Sequence, residues 1–163
     1  MAGKTDRAAE TTETAGRRDL AAMIEPIRQR LVATEIKVLT GHGLSMWAYI
    51  VLLSLAEEPI RTQAALADAI KADRTRIIDV LDDLQDRGLI SRRPDPADRR
   101  ARLLSLTEAG RLLRDAAQAS IQAREEHLLS RLKPGVRTAF LDALRELSNP
   151  AALALLDADQ PPT

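Results

Sequence analysis

The stretch Arg87 to Thr107, RGLISRRPDPADRRARLLSLT, constrains this chain more than any other. It reads as a helix end, a strand opening at Leu89 and Ile90, a turn-rich loop over Pro94 to Arg99, a return strand over Ala101 to Leu106 and a new helix start at Thr107. Leu104 and Leu106 alternate along the return strand and are expected to face inward. Prolines at 94 and 96 fix φ and stiffen the loop. Arg92, Arg93, Arg99, Arg100 and Arg102 fall within eleven residues, opposed only by Asp95 and Asp98. A thin hairpin tipped with guanidinium fits a minor groove, where negative potential is concentrated and arginine gives up little hydration. Asp98 works against such docking by its charge. Its expected role is to pair with and aim a neighbouring guanidinium, because an unaimed arginine loses rotamer entropy when it docks.

What precedes the hairpin gives it a context. Thr62 is placed to cap a helix over Gln63 to Ile70, with Leu66 and Ile70 inward. Asp73 is placed to cap a second over Arg74 to Arg87, with Ile77, Val80, Leu81 and Leu84 inward and Gly88 as a left-handed stop. Joined by Lys71-Ala72-Asp73, the two have the spacing of a helix-turn-helix, whose second helix offers its outer face to a major groove. That outer face carries Arg74, Thr75, Arg76 and Asp79. Gln63, Arg74, Thr75 and Arg76 join the five hairpin arginines as candidate DNA contacts. Asp79 and Asp83 fit i,i+4 partners or surface charges better than base readers. An ordinary solvated turn would account for the hairpin's charge, but not for its place directly after such a helix pair.

Further upstream, Leu20, Ile24, Ile27, Leu31 and Val38 recur at helical steps, with Pro26 expected to kink or interrupt the helix and Gly41-His42-Gly43 to end it. Ser45 is placed to cap a heavily buried helix over Met46 to Glu57, with Pro59 ending it. His42, Trp47 and Tyr49 are candidates for an effector pocket. Their plain alternatives are a loop histidine and core aromatics in a chain with only 2% aromatic residues.

Composition narrows the function classes. Twenty-four Lys+Arg balance twenty-four Asp+Glu, so a nucleic-acid surface has to be a local patch. The absence of cysteine removes disulfides and thiolate metal sites, and His42 and His127 stand too far apart to argue for a metal. No GxSxG, HExxH, Walker or GxGxxG pattern occurs, and the carboxylates lie among arginines with no convergent pair, so no catalytic residue, metal or cofactor is expected. MAGKTDRAAETTETAG has no apolar h-region, and no apolar run approaches 18 residues. The expectation is a cytoplasmic, nucleoid-associated protein without a membrane partner, with residues 1–16 a disordered tail.

The combination of a helix-turn-helix, RGLI and DPADRRARLLSLTEAG resembles the winged-helix MarR family of bacterial regulators, over roughly Asp19 to Ser148. Its most specific part is the wing motif Asp-x-Arg followed by Leu-Thr, present as Asp98, Arg100, Leu106 and Thr107. The resemblance implies a homodimer on a pseudo-palindromic operator, with Arg100 inserted in the groove, Asp98 supporting it and Arg74 to Arg87 as recognition helix. Asp79 and Asp83 depart from the basic or neutral residues many relatives carry there, which puts the usual sequence preference in doubt.

The C-terminal third points to dimerisation independently. Thr107 is placed to cap a helix to about Arg131, on which Leu113, Ala116, Ser120, Ala123, His127 and Ser130 form a stripe of mostly small residues. Pro134 opens another helix with Val136, Phe140, Leu144 and Leu147 in an apolar row before Asn149-Pro150. The expected fold is mainly α with a small β-hairpin. It divides into a dimerisation helix over 17–40, a winged helix-turn-helix domain over 44–106, dimerisation helices over 107–149 and a short tail over 150–163. The expected function is a homodimeric transcriptional regulator binding double-stranded DNA, a repressor released by a small-molecule effector. A helical dimeric adaptor or ligand-binding protein without DNA binding is the alternative, motivated by the neutral charge and the acidic recognition helix.

Overall fold

The computed structural model describes residues 18–57, 60, 62–94 and 102–157, with the backbone alone at Glu57 and at Arg74, Thr75 and Arg76. In chain order the elements are α1 (Leu20–Gly41), α2 (Met46–Glu57), α3 (Gln63–Ala69), α4 (Arg74–Asp86), β1 (Ile90–Pro94), β2 (Arg102–Leu106), α5 (Glu108–Leu129), α6 (Pro134–Leu147) and α7 (Pro150–Ala154). The expected disordered tail, residues 1–16, lies outside the described residues, as does Pro59. Two compact units are distinguished, one up to Ala119 and one from Ser120, the boundary falling within α5.

Local sequence signals fix most helix ends. Ser45 Oγ accepts from the Ala48 N–H at 3.1 Å and Thr62 Oγ1 from the Ala65 N–H at 2.9 Å, so both expected caps form. Gly43 (φ 67°) and Gly88 (φ 68°) take the left-handed conformation that stops α1 and α4. At each, the glycine N–H and the one after it turn back onto the helix: Gly43 to Thr40 and Leu44 to Leu39, then Gly88 to Gln85 and Leu89 to Leu84. Lys71 (φ 52°) does the same after α3, with Ala72 N–H donating to Ala67 at 2.9 Å. The short connection in the helix pair thus contains a strained L-residue where glycine would be relaxed.

Pro26 does not interrupt α1. It removes one backbone donor, and the surrounding turn is bridged by side chains: Glu25 accepts from Arg28 Nε and from Gln29 Nε2, both at 2.8 Å. Held by these donors, the Glu25 carboxyl is lowered to about 2.

The core of the first unit gathers Leu39 from α1, Val51, Leu52 and Leu55 from α2, Leu66 from α3, Ile77, Leu81 and Leu84 from α4, and Ile90 and Leu104 from the hairpin. α4 packs on α2, α3 and β1, while β2 packs on α2. The strands pair antiparallel with Ile90 opposite Leu106 and Arg92 opposite Leu104. Ile60 adds a one-residue bridge on the other side of Leu104, donating to it at 3.1 Å and accepting at 2.8 Å. The hairpin is therefore clamped to the segment entering α3, a contact the strand pattern did not announce.

Thr107 locks the hairpin to α5. Its hydroxyl lies 2.8 Å from the Gly88 carbonyl oxygen and 2.9 Å from that of Leu89, and accepts from the Gly110 N–H at 3.0 Å. Gly110 is buried there, and a Cβ on it would land on the Leu89 carbonyl oxygen. The second unit is built differently. α6 and α7 hold no buried residue, and Val136, Phe140, Leu144 and Leu147 are all exposed. α7 shows that the segment read as a tail opens with a short helix, capped by Asn149 Oδ1 accepting from the Ala152 N–H at 2.8 Å.

Candidate nucleic-acid interface

α4 is amphipathic in the sense a recognition helix requires. Ile77, Leu81 and Leu84 are fully buried and Val80 half-buried, which leaves Ile78, Asp79, Asp82, Asp83 and Asp86 on the open side. Arg74, Thr75 and Arg76 form its first turn, where a recognition helix reads base edges; their side chains lie outside the described residues. The helix is seated at this end by Asp73, whose carbonyl accepts from the Ile77 N–H at 3.2 Å. Gln63 is the first residue of α3 and is half-buried.

The acids of α4 are not equivalent. Asp83 pairs with Arg87 one turn on, Oδ2 to Nη1 3.0 Å, which is the i,i+4 role expected for it. Asp82 pairs with Arg92 of β1, Oδ1 to Nη2 2.6 Å. Asp79 is exposed and has no cationic partner among the described residues.

Register sorts the wing arginines by face. Residues opposite one another share a face, so Arg92 lies with Ile90, Leu104 and Leu106 on the inner side, while Arg93 lies with Leu103 on the other. Arg92, one of the hairpin arginines expected to contact DNA, is accordingly only 17% exposed and turned to Asp82. Arg93 and Arg102 are exposed at the open end of the ribbon and available to a ligand. Asp98, Arg99 and Arg100, the groove-probing tip in the sequence reading, lie outside the described residues.

The three effector-pocket candidates are dispersed in environment. His42 caps α1, its backbone N–H shared between the Val38 and Leu39 carbonyls. Trp47 is half-buried on α2, and Tyr49 is 4% exposed within the core. An open groove of about 550 Å³ lies in the second unit, lined by Leu132, Arg137, Leu141 and Arg145 among others, and includes none of the three. Its Arg137 is already bound by both oxygens of Glu126, at 2.6 and 2.7 Å. Among the described residues no group of three His, Cys, Asp or Glu could hold a metal ion.

Residues 42–101, which include the helix pair and the first half of the hairpin, match the MarR family model. A curated relative, the transcriptional regulator HosA of Escherichia coli O111:H-, is 31% identical over 101 residues, 62% of this chain and 75% of HosA. The chain belongs to the MarR family. Among solved structures, CouR of Rhodococcus jostii RHA1 bound to p-coumaroyl-CoA is 29% identical, with a TM-score of 0.64 over 81% of this chain and 93% of CouR. The transcriptional repressor CouR bound to a 23-mer DNA duplex gives 28%, a TM-score of 0.66 and coverage of 80% and 93%. This MarR protein is thus a winged helix-turn-helix transcriptional regulator, a class distinct from enzymes.

Three features of this MarR protein were missed by reading its residues in line. Nothing in the linear sequence marks Asp82 among the acids of α4, although the period of two in the hairpin places Arg92 on the face that α4 covers. Gly110 stands near the start of α5, where a buried glycine signals close backbone approach. Ile60 had no pattern to reveal it, being a single bridging residue.

Proposed function

We propose that this regulator is a homodimer that binds a pseudo-palindromic operator through α4 and the wing, and that it acts as a repressor released by a small-molecule effector. The observation that carries the reading is the joint placement of α4 and the arginine hairpin. The outer face of α4 is open, the hairpin begins directly at its glycine stop, and Arg93 and Arg102 stand exposed on the ribbon that leads to Arg100. A helix suited to a major groove is thus followed directly by the ribbon whose arginines suit a minor groove. CouR bound to DNA, and CouR bound to p-coumaroyl-CoA, support the two halves of the reading by analogy.

Dimerisation is supported by surface that the single chain leaves open. Leu20, Ile24 and Ile27 of α1, and Val136, Phe140, Leu144 and Leu147 of α6, are exposed at helical spacing. Burying such rows in a second copy follows the usual isologous rule and duplicates the reading head for two half-sites. An effector would act only through a difference in affinity between arrangements of the two heads that fit and do not fit the operator.

The test is binding of the full chain to duplex genomic fragments across a salt series. Selective capture, with affinity falling steeply as salt rises because several phosphates are neutralised, is the expected result. Retention of no fragment at any salt would reject the DNA reading in favour of an adaptor.

A further inference from the structure

The wing and the recognition helix are joined by an ion pair whose geometry differs from that of a phosphate contact. Arg92 occupies an inner-face position of β1, between Ile90 and Pro94 and opposite Leu104, where the strand's alternation calls for an apolar residue. Its guanidinium reaches back ten residues to Asp82, with Nη2 and Oδ1 2.6 Å apart. Arg92 is 17% exposed and Asp82 55%, so the arginine is embedded in the protein and the acid stands at its rim. Arg92 Nε is buried with no hydrogen-bond partner among the described residues. Leaving a buried donor unmade is unfavourable, which means that the side chain gives up hydration to reach Asp82. Arg93, its neighbour on the opposite face, gives up none: it is exposed.

We propose that the Arg92–Asp82 pair is a strut that fixes the wing at a set angle to α4, so that both residues position the DNA-reading parts and neither contacts DNA. The proposal rests on the DNA-binding reading above. A two-stranded ribbon is only marginally ordered by itself, and this one is clamped at its root by Thr107 and at mid-strand by the Ile60 bridge to Leu104. Arg92 adds a second tie at that level on the other strand, since it stands opposite Leu104, and it runs to α4. Ordering the wing before it meets the minor groove removes part of the entropy that binding would otherwise have to overcome. The same tie explains an acid on a helix face turned toward phosphates: Asp82 is neutralised by a residue of its own chain.

Asp82→Asn separates the two roles because they predict opposite signs. If Arg92 is a phosphate contact that Asp82 merely restrains, removing the acid frees a cation, tightens operator binding and steepens the salt slope by about one. The strut predicts binding weakened roughly three- to tenfold with the slope unchanged, the scale of one lost charge-assisted tie. Arg92→Gln should weaken binding to a similar degree, again at unchanged slope, and the double variant should be no worse than either single one. A slope that shifts by about one in any variant, tighter binding by Asp82→Asn, or unchanged affinity would overturn the proposal. A DNA-free arm keeps it independent of the operator: a double-mutant cycle of urea unfolding must give non-zero coupling between positions 82 and 92, and zero coupling overturns it. Failure of the unsubstituted protein to bind any duplex would instead reject the DNA-binding reading, and with it the strut's proposed role.

Discussion

The two units of this chain use apolar residues in opposite ways. Up to Ala119 a set of large aliphatic side chains closes a core, with Leu39, Leu52, Leu66, Ile77, Leu81, Leu84 and Leu104 fully buried and the hairpin locked by Ile60 and Thr107, while Leu20, Ile24 and Ile27 of α1 stay exposed. From Ser120 onward α6 keeps the same helical periodicity but buries nothing, leaving Phe140 at 41% and Leu147 at 61% exposure. A pattern that closes a core in one unit therefore leaves an open row in the other. The difference teaches that the first unit has a core set by its own contacts, whereas the second leaves its apolar row open, the surface on which the proposed dimer rests.

The contrast breaks most completely at Gly110. Gly110→Ala drives a methyl group into the Leu89 carbonyl oxygen, a backbone atom that cannot turn aside. A loss on the order of 3 kcal/mol or more is expected, read as a lowered urea midpoint or failure to fold. Stability equal to the parent would show that α5 and the hairpin can separate at no cost. Phe140→Asp attacks the open row instead. Placing a carboxylate in a buried interface should weaken self-association by about 2 kcal/mol or more, seen as a shift from a two-chain to a one-chain mass at micromolar concentration. A mass unaffected by the substitution would remove α6 from the proposed interface.

Arg100→Ala tests whether the tip beyond the described strands does the reading. A loss of about 1–3 kcal/mol in operator affinity with the two-chain mass retained is expected, and equal affinity at physiological salt would remove Arg100 from the groove. The smallest effect belongs to Lys71, held at a left-handed φ of 52°. Lys71→Gly should raise stability by up to about 1 kcal/mol, since relief of strain outweighs the added freedom of the unfolded chain, and a lower thermal midpoint would refute the strain.

How much could be seen in the sequence depended on whether the deciding contact was local. Ser45 and Thr62 were legible as caps because each bonds an N–H three residues away, and Gly43 and Gly88 because a helix stop needs a left-handed residue. Lys71 takes the same conformation but was not legible, since a lysine gives no hint of positive φ. Pro26 looked like a break, yet α1 runs through it with Glu25, Arg28 and Gln29 bridging the turn. Arg92 belonged by composition to the basic tip and by register to the inner face, and only the pairing of Ile90 with Leu106 separates these. Asp82 could be identified only through that register. The aromatic candidates differ in burial, with Tyr49 in the core and Trp47 partly open.

The central claim is that two copies of the chain present two reading heads to one operator. The most direct measurement is the mass of the complex formed with a duplex selected from random sequence, together with the base preferences in that duplex. Two chains per duplex on an inverted repeat are predicted, with half-sites about 10–10.5 base pairs apart, or a multiple of that, centre to centre. One chain per duplex, or a preferred sequence without two-fold symmetry, would contradict it.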